Sequence, residues 1–542
     1  MRTDIIRIYK TLHTWTGILA GLALFIAFYA GAVTMLKAPL TRWAATPASS
    51  QAVALNTLPS LTDATLAAYP AARKQFTVHL RVTEDVPAPL TWQAPNQVQW
   101  AAGLAADGSL QTSSSRPSDV AQFIDVLHMT AGIPGSLTLS MGLMAAVGVL
   151  YGLALVSGLI VVLPTLVKDL LALRLGRNLK RMWLDAHNVA GIVSLPFHLV
   201  IAWSAVVLGF HDPIYAVQDK LVYNSQLASH MDAGNFFAAR APVGSAKLPL
   251  LSPAQLLRQI AQRAPGFETE ALVYRERGEP GAVVIAQGSD PRYLAVGLGA
   301  VVLDPATGQF LNTTYLPGHA NPWEAFVNSL FALHFGSYGG EPIRWTYFFL
   351  GLAGAFLFYS GNLLWLESRR KAQRAAAQSV TQRRSAYLLA ALTVGVCLGC
   401  AWGVPGVCLG CVSGISATIV AAKWLHGHVS NLHDWHVAIY YSFFLGSVVW
   451  ALLRGAARAS VVLLRVATLA TAAIPLTSLI GWLAPASGWW VHGSGAALSI
   501  DGIAAFGALA LAWLARSTAR RVIHGRGDSV WSQTRHGLAA QK

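Results

Sequence analysis

The sequence predicts a polytopic α-helical membrane protein of eight or nine spans. A duplicated four-helix core would carry two small α+β extracytoplasmic segments, and three observations point to this fold. Of 542 residues, 54% are hydrophobic and only 12% are charged, whereas an ordinary soluble domain is about 25% charged. Apolar runs long enough to cross a bilayer, about 20 residues each, recur near 12–36, 137–163, 186–209, 345–366, 386–404, 405–422, 437–453, 461–482 and 497–515. His13 and His187 open apolar helices with one shared pattern, His-x-x-x-Gly, ending at Gly17 and Gly191. Each is followed by a polar segment and a second histidine in a Leu-His context, Leu127-His128 and Leu333-His334.

Residues 1–36 form the first span. Arg2, Arg7 and Lys10 precede it, and the apolar run outlasts the roughly 7–15 residues of a signal peptide, so it is read as uncleaved. Residues 37–136 form the first outside segment, with a helix from Leu61 to Tyr69, a strand from Phe76 to Val82, and Val98 to Ala105 leading into the turn Ala106-Asp107-Gly108. Residues 137–209 hold spans two and three around a basic loop containing Lys168, Arg174, Arg177, Lys180 and Arg181. Residues 210–344 form the second outside segment. Within it, a helix from Ser252 to about Arg263 precedes strands near 270–275, 282–287 and 293–303 and the turn Asp304-Pro305-Ala306-Thr307-Gly308. Span four covers 345–370, a basic linker 371–385, a helical membrane extension 386–515 and a basic tail 516–542.

The formal charge of +15 comes from basic residues in short loops beside apolar helices. The positive-inside rule accounts for it, and nucleic acid is not an expected partner. The N-terminus and both basic loops are assigned to the cytoplasm, with membrane lipid around the spans. Arg454 and Arg458, and also Arg516, Arg520 and Arg521, ask to be cytoplasmic as well. Eight spans satisfy both groups if 386–422 crosses once and includes a re-entrant half, which protein or water must surround.

Several short stretches together resemble the PepSY-associated transmembrane helix family, also described as iron-regulated membrane proteins. They are Leu12-His13-Thr14-Trp15-Thr16-Gly17, Leu127-His128 with Ile133-Pro134-Gly135, His187-Asn188-Val189-Ala190-Gly191 with Leu195-Pro196-Phe197-His198, Asp304 to Gly308, and Leu333-His334-Phe335-Gly336. The resemblance covers residues 1–370. It implies four core helices with PepSY-like domains outside, in a bacterial inner membrane. Some family members look like haem-containing reductases of ferric siderophores.

Ionisable and metal-binding side chains inside spans are functional hypotheses by default, and imidazole is a usual axial haem ligand. A parallel duplication places its halves about an axis along the membrane normal. His13 and His187 would then clamp one b-type haem near the cytoplasmic face, and His128 and His334 a second near the outer face. His198, eleven residues beyond His187 and only about 20° off its helical face, is a substitute for one outer ligand. The bland reading makes His13 and His187 interfacial helix-start residues, with Gly17 and Gly191 allowing close packing. His211-Asp212 reads as an exit turn after span three.

The four cysteines form Cys397-Leu-Gly-Cys400 and Cys408-Leu-Gly-Cys411 inside an apolar stretch. Packing, redox thiols and metal binding all remain open for them. His426, His428, His433 and His436 have spacings able to reach one metal ion or a third haem, and a solvated loop is the alternative.

No Gly-x-Gly-x-x-Gly, P-loop or His-Glu-x-x-His motif occurs. Electrons would therefore come from quinol or from a separate cytoplasmic donor. The expected function is electron transfer through two haems to periplasmic ferric iron, held by a siderophore or another chelate. The alternatives are a haem-free PepSY-type binding or regulatory protein and a histidine-relay transporter of metal or protons.

Overall fold

The computed structural model describes residues 3–46, 53–167, 179–227, 238–319, 322–375 and 406–524, apart from 83–85, 87, 96–97, 116–117 and 295–296. The apolar run at 386–404 with Cys397 and Cys400 lies outside the described residues, as do Lys168, Arg174, Arg177, the linker beyond Ala375 and the tail beyond His524.

The helices are α1 (Thr3–Thr34), α2 (Lys37–Ala44), α3 (Leu58–Ala68), α4 (Val120–Thr130), α5 (Leu137–Val162), α6 (Leu179–Val193), α7 (Leu195–Leu221), α8 (Pro253–Arg263), α9 (Pro322–Phe335), α10 (Gly340–Ala375), α11 (Gly406–Trp424), α12 (Leu432–Leu483) and α13 (Gly495–His524). Eight stretches among the described residues are long and apolar enough to cross a membrane: one each in α1, α5, α7, α10, α11 and α13, and two in α12. Contacts divide the chain into two compact units. One comprises Met1–Ala44, Ser118–Gly209 and Trp345–Lys542, and the other Ala45–Pro117 and Phe210–Arg344.

In the membrane unit, small residues let helices approach closely, as expected where lipid removes the hydrophobic drive between them. A Cβ at Gly351 would lie 3.0 Å from Ala32 Cβ, and one at Gly209 2.7 Å from Ala145 Cβ. One core joins Leu24, Phe28 and Trp43 to Ile124, Tyr440 and Ile500, so the C-terminal helices pack on α1, α2 and α4. The two halves of α12 run antiparallel. A Cβ at Gly410 would meet Ser447 from the first half, and Ser416 hydrogen-bonds Thr471 from the second at 3.0 Å. Those contacts lie about 9 Å apart along α11, whereas a straight helix would separate Ser447 from Thr471 by about 36 Å.

Lys423 is fully buried beside α2. Its Nζ lies 3.8 Å from the Trp43 ring centre and donates to the Trp490 carbonyl at 3.0 Å. Trp43 Nε1 and the Ser478 hydroxyl both donate to Asp501 Oδ1, at 2.9 and 3.0 Å. These partners meet the need of buried charge for hydrogen bonds.

The second unit holds strands β1 (Gln75–His79), β2 (Leu90–Gln93), β3 (Gln99–Leu104), β4 (Leu110–Ser115), β5 (Glu268–Arg275), β6 (Val283–Ser289), β7 (Gly299–Leu303) and β8 (Phe310–Asn312). Rather than forming separate modules, both inter-span segments share one antiparallel sheet of order β4-β3-β2-β1-β5-β6-β7-β8. Its seam pairs β1 with β5, from Gln75 opposite Arg275 to His79 opposite Ala271. Each segment repeats one plan, a helix followed by a four-stranded meander. α3 and α8 supply Leu61, Leu256 and Ile260 to the core on one sheet face. α8 starts on a capping box, in which the Ser252 hydroxyl accepts from the Gln255 N–H and the Gln255 side chain accepts from the Ser252 N–H.

The Asp304-to-Gly308 motif is structural. Asp304 accepts from the Ala306 N–H at 2.8 Å and from the Ser245 hydroxyl at 2.5 Å. Burial raises its pKa, but these hydrogen bonds outweigh the burial and hold the carboxyl below its usual range. His211, expected in an exit turn, remains helical within α7 and pairs with Asp212 at 2.9 Å.

Candidate functional site

His13 and His187 come together in the membrane unit, with ring centres 6.3 Å apart and planes inclined by 70°. His13 projects from α1 against α5, where its Nδ1 donates to the Ala154 carbonyl at 2.8 Å. A carbonyl only accepts, so in the neutral ring Nδ1 carries the proton and Nε2 keeps its lone pair. His187 projects from α6 against α10, with Nδ1 hydrogen-bonded to the Ser360 hydroxyl at 3.0 Å. Both rings are thus held through Nδ1, as metal-ligating histidines usually are by an outer partner. Two imidazoles on opposite sides of one ion, bonded at about 2 Å each, hold their centres about 6 Å apart.

His128 sits on α4, a short helix ahead of span two, and its Nδ1 donates to the Ala27 carbonyl at 2.7 Å. His198 is 1% exposed, and its Nδ1 and the Tyr151 hydroxyl are 2.5 Å apart. Its Nε2 is buried without a hydrogen-bond partner, a state that costs about 1–3 kcal/mol. Phe28 lies 5.4 Å from the His198 ring, so His128 and His198 flank α1 at neighbouring turns. That level is roughly 21–27 Å along α1 from His13.

Each of these four imidazoles faces a glycine on a neighbouring helix. A Cβ at Gly158 would meet His13 Cε1 at 2.8 Å, one at Gly31 would meet His128 Nδ1 at 2.8 Å, one at Gly354 His198 Cε1 at 3.1 Å, and one at Gly361 His187 Cε1 at 3.5 Å. His334 closes α9 and is described within the other unit, where its ring touches Phe335 at 5.4 Å.

Three of the four C-terminal histidines divide between two partners, and His428 lies in the turn after α11. Nδ1 of His436 and of His433 both reach Asp119, the N-cap residue of α4, with His436 at 2.8 Å. His426 packs on Trp490, with ring centres 5.1 Å apart. No three metal-capable side chains gather into one site among the described residues. Cys408 and Cys411 are buried free thiols. Burial raises the Asp119 carboxyl, but hydrogen bonds from His436 and His433 and their charges outweigh it and bring it below its usual range.

The paired spans and the histidines are readable from the sequence. Tyr151, Ser360 and the facing glycines are not, because glycine and hydroxyl residues are common throughout apolar helices. Asp119 offered one signal, an acid just before the helix that carries His128.

The family model of the PepSY-associated TM region matches residues 10–368. No curated protein matches the sequence.

Proposed function

The chain belongs to the PepSY-associated TM region family, and from its facing imidazoles we propose that it carries electrons across a bacterial inner membrane on two b-type haems. The final acceptor in this reading is periplasmic ferric iron held by a siderophore or another chelate. The observation that carries the proposal is the 6.3 Å separation of the His13 and His187 rings, with each Nδ1 already engaged.

His13 and His187 would hold one haem. His128 would hold the other, with His198, the substitute ligand in the same unit, as its partner. Bound there, haem supplies a one-electron couple within hydrocarbon. The chain's own residues do the positioning. The Ala154 and Ala27 carbonyls select the tautomers of His13 and His128 that leave Nε2 as the ligand atom, and Ser360 orients His187. Gly158 and Gly31 leave room for the rings. With the N-terminus in the cytoplasm, His13 lies on the donor side, where quinol or a separate cytoplasmic protein delivers the electron.

Removing either ligand of the first pair tests this. His13→Ala and His187→Ala each lower haem per purified chain by about half, read as the pyridine haemochrome, while His426→Ala does not. Unchanged haem in both variants removes the assignment. Absence of haem from the wild-type protein favours a haem-free binding or regulatory protein.

A further inference from the structure

An electron donor outside the bilayer must hold its ferric complex while reducing it, and the sheet unit contains a cavity of about 970 Å³. This is at the upper end of the usual range for small-molecule sites, about 300–1,000 Å³. The cavity opens on the sheet face opposite α3 and α8. Phe76, Val78, Leu272 and Tyr274 point into the core beneath those helices, and the intervening residues Gln75, Thr77 and Arg275 line the cavity, as the two-residue strand period requires. The register sets Gln75 opposite Arg275 and Thr77 opposite Thr91. The cavity therefore straddles the seam between the two inter-span segments, and neither segment forms it alone.

Among the described residues, its lining carries three cations, Lys74, Arg240 and Arg275, and one carboxylate, that of Glu276. The rim is shaped by the backbone. Glu276 adopts φ +53° and donates its N–H to the Lys74 carbonyl at 3.0 Å, fixing Lys74 beside the end of β5. Gly281 has φ +87°, and a Cβ there would approach Arg240 Cδ to 3.3 Å, so the bare glycine lets the arginine stem run close alongside. Thr77 and Thr91 add hydroxyls, while Trp92 and Phe76 send their rings into the opposite core.

We infer that this cavity binds an anionic, oxygen-rich ferric complex of the hydroxycarboxylate class. Guanidinium groups pair with carboxylates bidentately, and a net positive lining discriminates against neutral complexes. The assignment rests on the proposed reduction of ferric chelates.

The test uses the full-length detergent-purified protein and gallium(III) citrate, a ferric-citrate analogue that is not reduced, titrated by calorimetry. Binding is expected, weakened at least tenfold in the Arg240→Gln/Arg275→Gln double variant and several-fold in Lys74→Gln, whose exposed side chain puts no fold at risk. Raising the salt weakens binding as Coulomb attraction is screened, and a neutral gallium trishydroxamate binds at least tenfold more weakly. No binding of gallium citrate, equal binding by all variants, or equal binding of the hydroxamate overturns the inference. Gallium binding by a haem-free protein would leave the site standing and remove the electron-transfer reading. Chelate reduction by a haem-loaded protein that fails the titration would do the reverse.

Discussion

His198 has one nitrogen engaged by Tyr151, and the other is buried without a hydrogen-bond partner among the described residues. The glycines facing the imidazoles give the sharpest residue-scale prediction. Gly158→Val forces a side chain onto His13, whose ring is already 2.8 Å from the first carbon added. In the proposed two-haem reading, about one haem should be lost while span insertion is unchanged, as read by haemochrome assay and membrane fractionation. Tyr151→Phe removes only a hydroxyl, and it is expected to shift the haem midpoint potential without loss of haem if His198 is the ligand. An unchanged potential would assign His198 to packing. The histidines were legible because imidazole is rare within apolar runs. Their partners were not, since a carbonyl such as that of Ala154 leaves no trace in residue type.

At the scale of elements, α4 is joined to α12 through Asp119, His433 and His436. The Asp119 carboxyl is held below its ordinary value of about 3.9, so the contribution is fully present above pH ~4 and is lost as pH falls through the lower folded-state value. Asp119→Asn should therefore lower the thermal midpoint at pH 7, with the difference closing as the pH drops below about 4. A difference independent of pH would show that the carboxylate charge plays no part. The sheet seam makes a second prediction. Phe76 stacks on Tyr274 across β1 and β5 at 4.9 Å, and Phe76→Ala costs about 3–5 kcal/mol. Protease should then cut 45–117 and 210–344 together, whereas separate modules would leave 210–344 resistant. Alternation and turn residues revealed most strands, and Ser252 revealed the start of α8. The short strand β2 carried too few residues to show a period. Nothing in β1 or β5 states that each pairs with the other, because alternation identifies a buried face and not a neighbour.

At the scale of the molecule, hydropathy made the spans legible, the apolar runs 437–453 and 461–482 giving the two crossings within α12, and the basic loops favoured eight spans over nine. Eight crossings among the described residues, with 386–404 adding none, put both chain ends on the same side. Cysteines introduced near Asp4 and His524 should react together with an impermeant thiol reagent added to one face of oriented vesicles, and labelling from opposite faces would require an odd number of spans. In the sheet, each inter-span segment supplies a helix and four strands. The contact between His13 and His187 was visible only as a repeat, since spacing along the chain does not say which helices adjoin.

The electron-transfer account is tested most directly by the visible spectrum of the detergent-purified full-length protein, oxidised and then dithionite-reduced, with haem quantified per chain and a ferric chelate added anaerobically. The account predicts two haems per chain with the sharp reduced bands of low-spin bis-imidazole iron, reoxidised by the chelate. A colourless protein from cells well supplied with haem, or reduced bands that the chelate leaves unchanged, would contradict it.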